Sequence, residues 1–515
     1  MRPAHGTIRH PMASGPPAGL RVSVASLFTA YVVSFVVVGL SYVVYSRLLS
    51  PAEFGIYSAA LVIANFGQVL LDGGLRNTMI KSRVALSPVE EGTLMSLMLA
   101  AAVVLSAGLL LGRLWGSPQP VATSGGAFLA AFAAVFIVAY PLIVFPTARL
   151  ERAFQYRRLA WIESCGGIVE RAAPVLLIVL GAGLWSFVIA LVAGMALRAV
   201  ALGLAAPVRP CLPTPARVIR AVPHLKEGTW FQVGVGSNLL RDGLHVLLVG
   251  PLFGAAWIGY YGWAMQLARI ASQAFVQVAA RVSLPLFAQS EGLPVRWSSC
   301  LRQVRLLSMA TGPLLGACLV VIPSVDVVLF HGRWEPAMAI LPLLFLRMIP
   351  NVATTPVGML LLVEGGARRY TLSVSAWTAL EVVGAAVLLL ALGPLGLAVS
   401  MAVMVWPGLL IMTWATFGGL DGRLADLLRS LLVRPSLGIT VAGVAIAQVG
   451  MGGWFLASNR GHLAALAVGA ALLAAAYLSE PRLREMPGAL LRAVRGLPAL
   501  ESPPPAPNTA ARDRV

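Results

Sequence analysis

Residues 25–46 read ASLFTAYVVSFVVVGLSYVVYS, residues 47–53 read RLLSPAE, and residues 54–74 read FGIYSAALVIANFGQVLLDGG. Two apolar runs flank a short polar connector. The first run carries no charge, and the second carries none before Asp72. A helix needs about 20 predominantly apolar residues to cross the hydrocarbon core of a bilayer. Each run is long enough to span, and the pair reads as a membrane hairpin. Arg2, Arg9 and Arg21 precede the first run. That run is longer than the roughly 7–15 residues of a cleavable signal core, so no signal peptide is expected.

The same pattern fills the rest of the 515 residues, of which 58% are apolar and 11% charged. An average soluble protein is about 25% charged. Mean hydropathy is +0.84. A water-soluble enzyme, a disordered chain and a secreted disulfide scaffold are excluded, because none has a place for so much apolar surface. The fold expected is an all-α polytopic membrane protein of about 14 transmembrane helices. The predicted helices are 25–46, 54–74, 92–112, 124–145, 161–181, 184–206, 228–250, 256–280, 304–325, 336–362, 371–392, 395–416, 435–457 and 461–478. Gly183 and the pair Gly393-Pro394 mark the tightest turns.

Formal charge is +18, from 38 Lys+Arg against 20 Asp+Glu. On a soluble chain this would point to nucleic acid. On a polytopic chain it reads as the excess of basic residues in cytoplasmic loops. With the N-terminus cytoplasmic, 28 of the 38 fall in cytoplasmic segments and six inside spans. Only Arg47, Arg113, Arg333 and Arg460 fall outside. Both termini are therefore expected in the cytoplasm, and no nucleic-acid partner is expected. Cys165, Cys211, Cys300 and Cys318 show neither a metal-ligand nor a disulfide spacing.

A repeat appears at an offset of 204. Gly55-Ile-Tyr-Ser-Ala-Ala60 aligns with Gly259-Tyr-Tyr-Gly-Trp-Ala264 as G-x-Y-x-x-A, and Gly39-Leu40 with Gly243-Leu244. An even number of spans per half gives parallel repeats about an axis along the membrane normal. The organisation expected is a cytoplasmic tail at 1–24, a six-helix lobe at 25–206, a cytoplasmic linker at 207–227 and a second six-helix lobe at 228–416. Two extra helices follow at 417–478, then a tail at 479–515. In that tail, 481–497 reads as an interfacial basic helix and 501–515 as a disordered end.

The outward loops are short and the cytoplasmic ones reach only about 20 residues, too little for a catalytic domain on the scale of about 50 residues or more. There is no G-x-x-x-x-G-K-[ST] and no H-E-x-x-H. No enzymatic activity, cofactor or metal is expected. Seven charges fall near the middle of predicted spans: Glu170, Arg171, Arg241, Asp242, Arg269, Arg347 and Glu381. An ionised group there costs about 2.5–3.5 kcal/mol on insertion scales, so it pairs or lines a wet cavity. Both roles stay open for each residue. Arg269 has no acidic neighbour in its own predicted helix, which makes it the first candidate ligand-binding arginine, followed by Arg241, Arg347 and Arg171. Asp242 and His245, three apart on one predicted helix, are candidates to carry a proton. Glu170 and Glu381 are further candidates for ion coupling. Asp72, before Gly73-Gly74, could cap or gate. Arg198 and Arg305 are expected to snorkel towards the cytoplasmic boundary. The amides Asn65, Gln68, Asn238, Gln266, Gln273 and Gln277 suggest either a polar lining or interhelical bonds.

The stretch from Arg47 to Tyr57 running on to Leu71-Asp-Gly-Gly-Leu75 resembles the opening of the polysaccharide-transporter (Wzx-like) family. Asp242-Gly-Leu-His-Val-Leu-Leu-Val-Gly250 with Ile258-Gly-Tyr-Tyr-Gly-Trp-Ala264 is similar to that family's D-x-x-x-x-G…G-x-Y-x-x-A. Leu329-Phe-His-Gly-Arg-Trp334 is similar to it as well. The resemblance implies two six-helix lobes around a central cavity, with helices 13 and 14 outside. It implies flipping of an undecaprenyl-pyrophosphate-linked oligosaccharide from the cytoplasmic to the periplasmic leaflet of a bacterial inner membrane, for exopolysaccharide, O-antigen or capsule synthesis. Partners would be that lipid-linked oligosaccharide, membrane lipids, and a polysaccharide polymerase with chain-length proteins. Asp242 is the ionisable residue carried over by motif. A cation exporter of the same superfamily and a non-transporting scaffold of a polysaccharide assembly are the alternatives. The first would favour an acidic cavity, and the second leaves the midplane charges unexplained.

Overall fold

The computed structural model describes residues 37, 39–75, 79, 87–115, 122–153, 155–290, 292–420, 422–432 and 459–479. The expected span 435–457, the tail 479–515 beyond Ser479 and most of 25–38 lie outside them. Among the described residues there is no strand. The helices are α1 (39–48), α2 (Pro51–Asp72), α3 (Pro88–Trp115), α4 (Ala122–Arg152), α5 (Tyr156–Val179), α6 (Trp185–Ala205), α7 (Pro215–Asp242), α8 (Ala255–Gln289), α9 (Leu293–Phe330), α10 (Glu335–Leu392), α11 (Pro394–Phe417), α12 (Arg423–Leu431) and α13 (Asn459–Ser479). Seven of them (α2, α3, α4, α6, α9, α10 and α11) are long and apolar enough to cross a membrane. The protein is thus an all-α polytopic membrane protein. The more polar α5, with Glu163, Glu170 and Arg171 in its course, is not among the seven.

Local chemistry sets the helix ends. At α2, Ser50 Oγ accepts from the Glu53 amide and Glu53 Oε2 accepts from the Ser50 amide, a capping box with Pro51 at the first helical position. Gly73 then takes the left-handed conformation that ends the helix. Ser87 and Glu90 form the same box ahead of α3. The turn glycines Gly183 and Gly393 have φ of +52° and +62°, where a side chain would be strained.

Two expectations change. A loop was expected between 362 and 371, around Arg368 and Arg369. Instead α10 runs for 58 residues and breaks only at Gly366 (φ 71°, ψ 177°), because one glycine turns the chain without a loop. The stretches 256–280 and 304–325 lie inside the longer α8 and α9. Apolar patterning marks the greasy part of a helix, not where its hydrogen bonding stops.

Helices α2 to α6 pack on one another through the pairs α3–α4, α2–α4, α4–α6 and α5–α6. Helix α10 gathers α7, α8, α9 and α11, and α9 also carries α12 and α13. Between these groups α2 packs on α8, and α2 and α3 pack on α7. The α2–α8 crossing uses both repeat glycines. A Cβ on Gly55 would strike the Ala255 carbonyl, and one on Gly259 the Pro51 carbonyl. The repeat tyrosines behave alike: Tyr57 lies over Phe187 near the start of α6, and Tyr261 donates to the Pro394 carbonyl at the start of α11. Ala60 and Ala264 are both fully buried.

At the arginine-rich end an ion pair clamps helices in both groups. Arg149 on α4 pairs with Glu91 on α3, and Arg296 on α9 pairs with Glu364 on α10 at 2.5 Å. The residues that follow α6 are tied to the same place, with Arg149 donating to the Pro207 carbonyl and the Cys211 amide to the Gly92 carbonyl.

Candidate functional site

Five of the seven charges expected near the span middles form one contiguous cluster. Helix α7 ends at Asp242, where Gly243 leaves helical geometry and a π-helical turn, His245–Val249, follows. Irregular backbone in a membrane helix is expected only where protein or a wet cavity satisfies it, and π-helical turns concentrate at functional sites. From this end Asp242 Oδ2 reaches Arg269 Nη2 on α8 at 3.2 Å, and Oδ1 reaches Arg347 Nη2 on α10 at 3.9 Å. Arg347 Nη2 also lies 3.4 Å from Glu381 Oε1, and Arg241 Nε lies 3.7 Å from Glu381 Oε2. Arg241 donates to Asn238 Oδ1 at 2.7 Å and rests 3.5 Å over the Trp377 ring.

Exposure sorts the cluster. Side chains of Arg347 and Glu381 are 3% and 0% exposed, and that of Arg241 8%. Those of Arg269 and Asp242 are 37% and 43% exposed. Three guanidiniums and two carboxylates give these five groups a formal charge of +1. Beneath an accessible Arg269–Asp242 pair lies a buried Arg241–Glu381–Arg347 base. The base is held at ion-pair distances: both Glu381 oxygens, Arg241 Nε and Nη1, and Arg347 Nε make no hydrogen bond. Arg347 Nη1 approaches Met401 Sδ at 3.6 Å.

The other candidates fall elsewhere. Glu170 pairs with Arg198 on α6 at 2.7 Å, and Arg171 donates to its own helix at the Gly167 carbonyl. Arg198 was expected to snorkel; it instead reaches the nearest carboxylate, in space left by Gly166 and Gly194. Asp72 accepts from Tyr140 at 3.1 Å. His245 is buried in the π-helical turn, three residues on from Asp242. Asn65 and Asn238 bond to carbonyls four residues back in their own helices. Gln232, an amide on α7, donates to the Val69 carbonyl of α2.

A second feature closes the far end of the bundle, where α2 and α8 begin. Trp263 and Trp334 stack at 5.0 Å, and Phe54 meets Trp334 edge-on. Ser46 binds both indoles, through Oγ to Trp263 at 2.9 Å and through its carbonyl to Trp334 at 3.0 Å. Arg333 donates to the carbonyls of Arg47 and Leu49, and Tyr42 to that of Trp263. The turn that delivers Arg333 and Trp334 is strained, with His331 at φ 57°. The tryptophans and the HGRW turn were visible in the sequence, but nothing there said that they meet residues 42–54.

The chain matches a family model described as "Polysaccharide biosynthesis protein" over residues 44–339. It is 23% identical over 354 residues to the lipopolysaccharide biosynthesis protein WzxC of Escherichia coli (strain K12), covering 65% of this chain and 68% of that one. It is 29% identical over 132 residues to the teichuronic acid biosynthesis protein TuaB of Bacillus subtilis (strain 168), covering 25% and 27%. Among solved structures, the inward closed conformation of the lipid II flippase MurJ is similar with a TM-score of 0.66 at 12% identity, over 89% of this chain and 99% of that one. An inward-facing multidrug resistance MATE family transporter of the MOP superfamily is similar at 0.52 and 12%, over 76% and 94%. At such identities the likeness is one of fold.

Proposed function

The chain belongs to the polysaccharide biosynthesis protein family, and from that premise we propose that it flips a lipid-linked sugar across the bacterial inner membrane. Its fold is shared with transporters, the lipid II flippase MurJ and a MATE family transporter, and we read the chain as a transporter, not a catalytic enzyme. The cargo we assign is an undecaprenyl-pyrophosphate-linked oligosaccharide, the repeat unit of a surface polysaccharide. The observation that carries this reading is the accessible Arg269, paired with Asp242 on a buried charged base.

The physical problem is a pyrophosphate crossing hydrocarbon, where the idealised transfer cost is of order 20 kcal/mol per ion. A guanidinium fork can hold phosphate bidentately while the polyprenyl tail stays in lipid. Arg269 is assigned that contact. Arg171, exposed on α5, supplies a guanidinium from the other half. The buried Arg241 and Arg347 hold the site in place. Moving two negative charges outward, down an inside-negative potential, is favoured by roughly 4–5 kcal/mol per 100 mV, so the potential can drive export. Asp242, Glu381 and Glu170 are the carboxylates available for a coupling ion, with His245 beside the first. The positive formal charge of the cluster disfavours a cation exporter.

In the same reading the chain has fourteen spans. Its lobes are 25–206 and 228–416, its termini are cytoplasmic, and the lobes rock to open the site to each side in turn. The aromatic end at Trp334 is then periplasmic and closed. Cysteines introduced at 113–123 and, within 326–335, at the exposed His331 and Glu335 should react with an impermeant thiol reagent applied from the periplasm, and those at 149–158 and 423–434 should not. The reverse pattern overturns the orientation.

The functional test is Arg269→Ala in a deletion strain. Loss of a charge-assisted contact, about 1.5–3 kcal/mol, weakens binding roughly 10- to 150-fold. Surface polysaccharide should fall and lipid-linked precursor accumulate at normal membrane abundance. Arg269→Lys should recover part of the activity, since it restores charge without the fork. Unchanged polysaccharide with Arg269→Ala removes the residue from the site.

A further inference from the structure

Asp242 divides its two oxygens between two arginines of unequal access. Oδ2 is 3.2 Å from the half-exposed Arg269, and Oδ1 is 3.9 Å from the buried Arg347. An anion that takes the edge of Arg269 carrying Nη2 competes with that carboxylate for the same donor. A carboxylate displaced into a dry site without a cation would be costly. Here a second cation already stands beside it. Arg347 can accept Asp242 more closely because its other partner, Glu381, is shared: Glu381 Oε2 faces Arg241 while Oε1 faces Arg347. The backbone can follow, since Asp242 is the last residue of α7 and a π-helical turn begins three residues on.

We propose that Asp242 is a built-in competitor for the substrate phosphate, occupying Arg269 in the empty site and passing to Arg347 when the anion arrives. Before binding, Arg269 holds Asp242 while Arg241 and Arg347 share Glu381. After binding, Arg269 holds phosphate, Arg347 holds Asp242 and Arg241 holds Glu381. Every arginine has an anion in both states. The carboxylate that weakens binding also expels the phosphate when the site opens to the far side. The proposal rests on the flippase reading for its ligand class, and it names two positioning residues, Asp242 and Arg347, for one phosphate contact.

The test is calorimetric binding of inorganic pyrophosphate to the purified full chain at fixed ionic strength. Asp242→Asn should bind about 10- to 100-fold more tightly than wild type, and Asp242→Glu, which keeps a competing charge, should stay near wild type. In an Arg269→Ala background the gain from Asp242→Asn should vanish. A gain that survives there is general electrostatics and overturns the proposal, as does Asp242→Asn binding no more tightly than wild type. Those results leave the flippase reading standing if Arg269→Ala still blocks polysaccharide export. Were Arg269→Ala silent in cells, the flippase assignment of that residue would fail whatever the calorimetry shows. Should Asp242→Asn fold poorly, Asp242→Ser takes its place with the same expectation, and binding no tighter than wild type refutes the competition.

Discussion

Glu381→Ala is expected to remove most of the folded protein from the membrane, while Arg269→Ala leaves it there. Glu381 is fully buried and faces two guanidiniums, Arg347 at 3.4 Å and Arg241 at 3.7 Å. Taking one partner from a buried ion pair costs about 3–5 kcal/mol, because the remaining charge is left uncompensated. Here two arginines, themselves 3% and 8% exposed, would share that loss. A domain is stable by only about 5–15 kcal/mol. The isosteric Glu381→Gln separates the causes: if charge matters, it too should lower abundance and the thermal unfolding temperature, and if packing matters, it should resemble wild type. A companion Glu381→Leu, Arg347→Met pair replaces charge by apolar volume, a change that is often neutral or stabilising. It should recover abundance above Glu381→Leu alone, though only in part, since Arg241 keeps its charge without a carboxylate. Normal abundance of Glu381→Ala would mean that water or lipid headgroups already solvate this base.

How much of this was legible in the sequence depends on range. The glycine turns at 183 and 393 and the membrane nature of the helices follow from residues close in sequence. The start of α2 is local chemistry too, but Ser50, Pro51 and Glu53 set it three residues ahead of the start expected at 54. The Gly366 break was not legible, because a Gly-Gly pair before two arginines reads equally as a loop. The same limit applies to charges. Counting along predicted spans put Glu170, Arg171, Arg241, Asp242, Arg269, Arg347 and Glu381 near one depth. It could not say that five of them lie on three helices that meet, nor that Glu170 prefers Arg198. Depth is a one-dimensional property that hydropathy records; pairing depends on how helices rotate and cross, which is set by packing.

The repeat was read as a short sequence echo. In space it is a contact, since Gly55 and Gly259 face each other across the α2–α8 crossing. This gives the last prediction, that Gly259→Leu abolishes transport by holding this end of the bundle open. A Cβ at 259 would run into the Pro51 carbonyl and the Gly55 amide, and neither can rotate away as a side chain could. Overpacking a close interface costs typically about 1–3 kcal/mol, and more where backbone is struck. A bias of 1–3 kcal/mol shifts a two-state equilibrium by about 5- to 150-fold. In the rocking cycle proposed above, the two helices part in the open state, which therefore escapes the cost. The stacked Trp263 and Trp334 and the Arg333 bonds to the 47 and 49 carbonyls would be lost with it. Spin labels at the exposed Leu48 and Leu252, one on each side of the crossing, should move apart in Gly259→Leu. Gly259→Ala should give a mixture. Surface polysaccharide should fall with the closed fraction while membrane abundance holds. An unchanged label distance with normal export would show that α2 and α8 do not part during the cycle, and the rocking of the two halves would then have to turn about some other line.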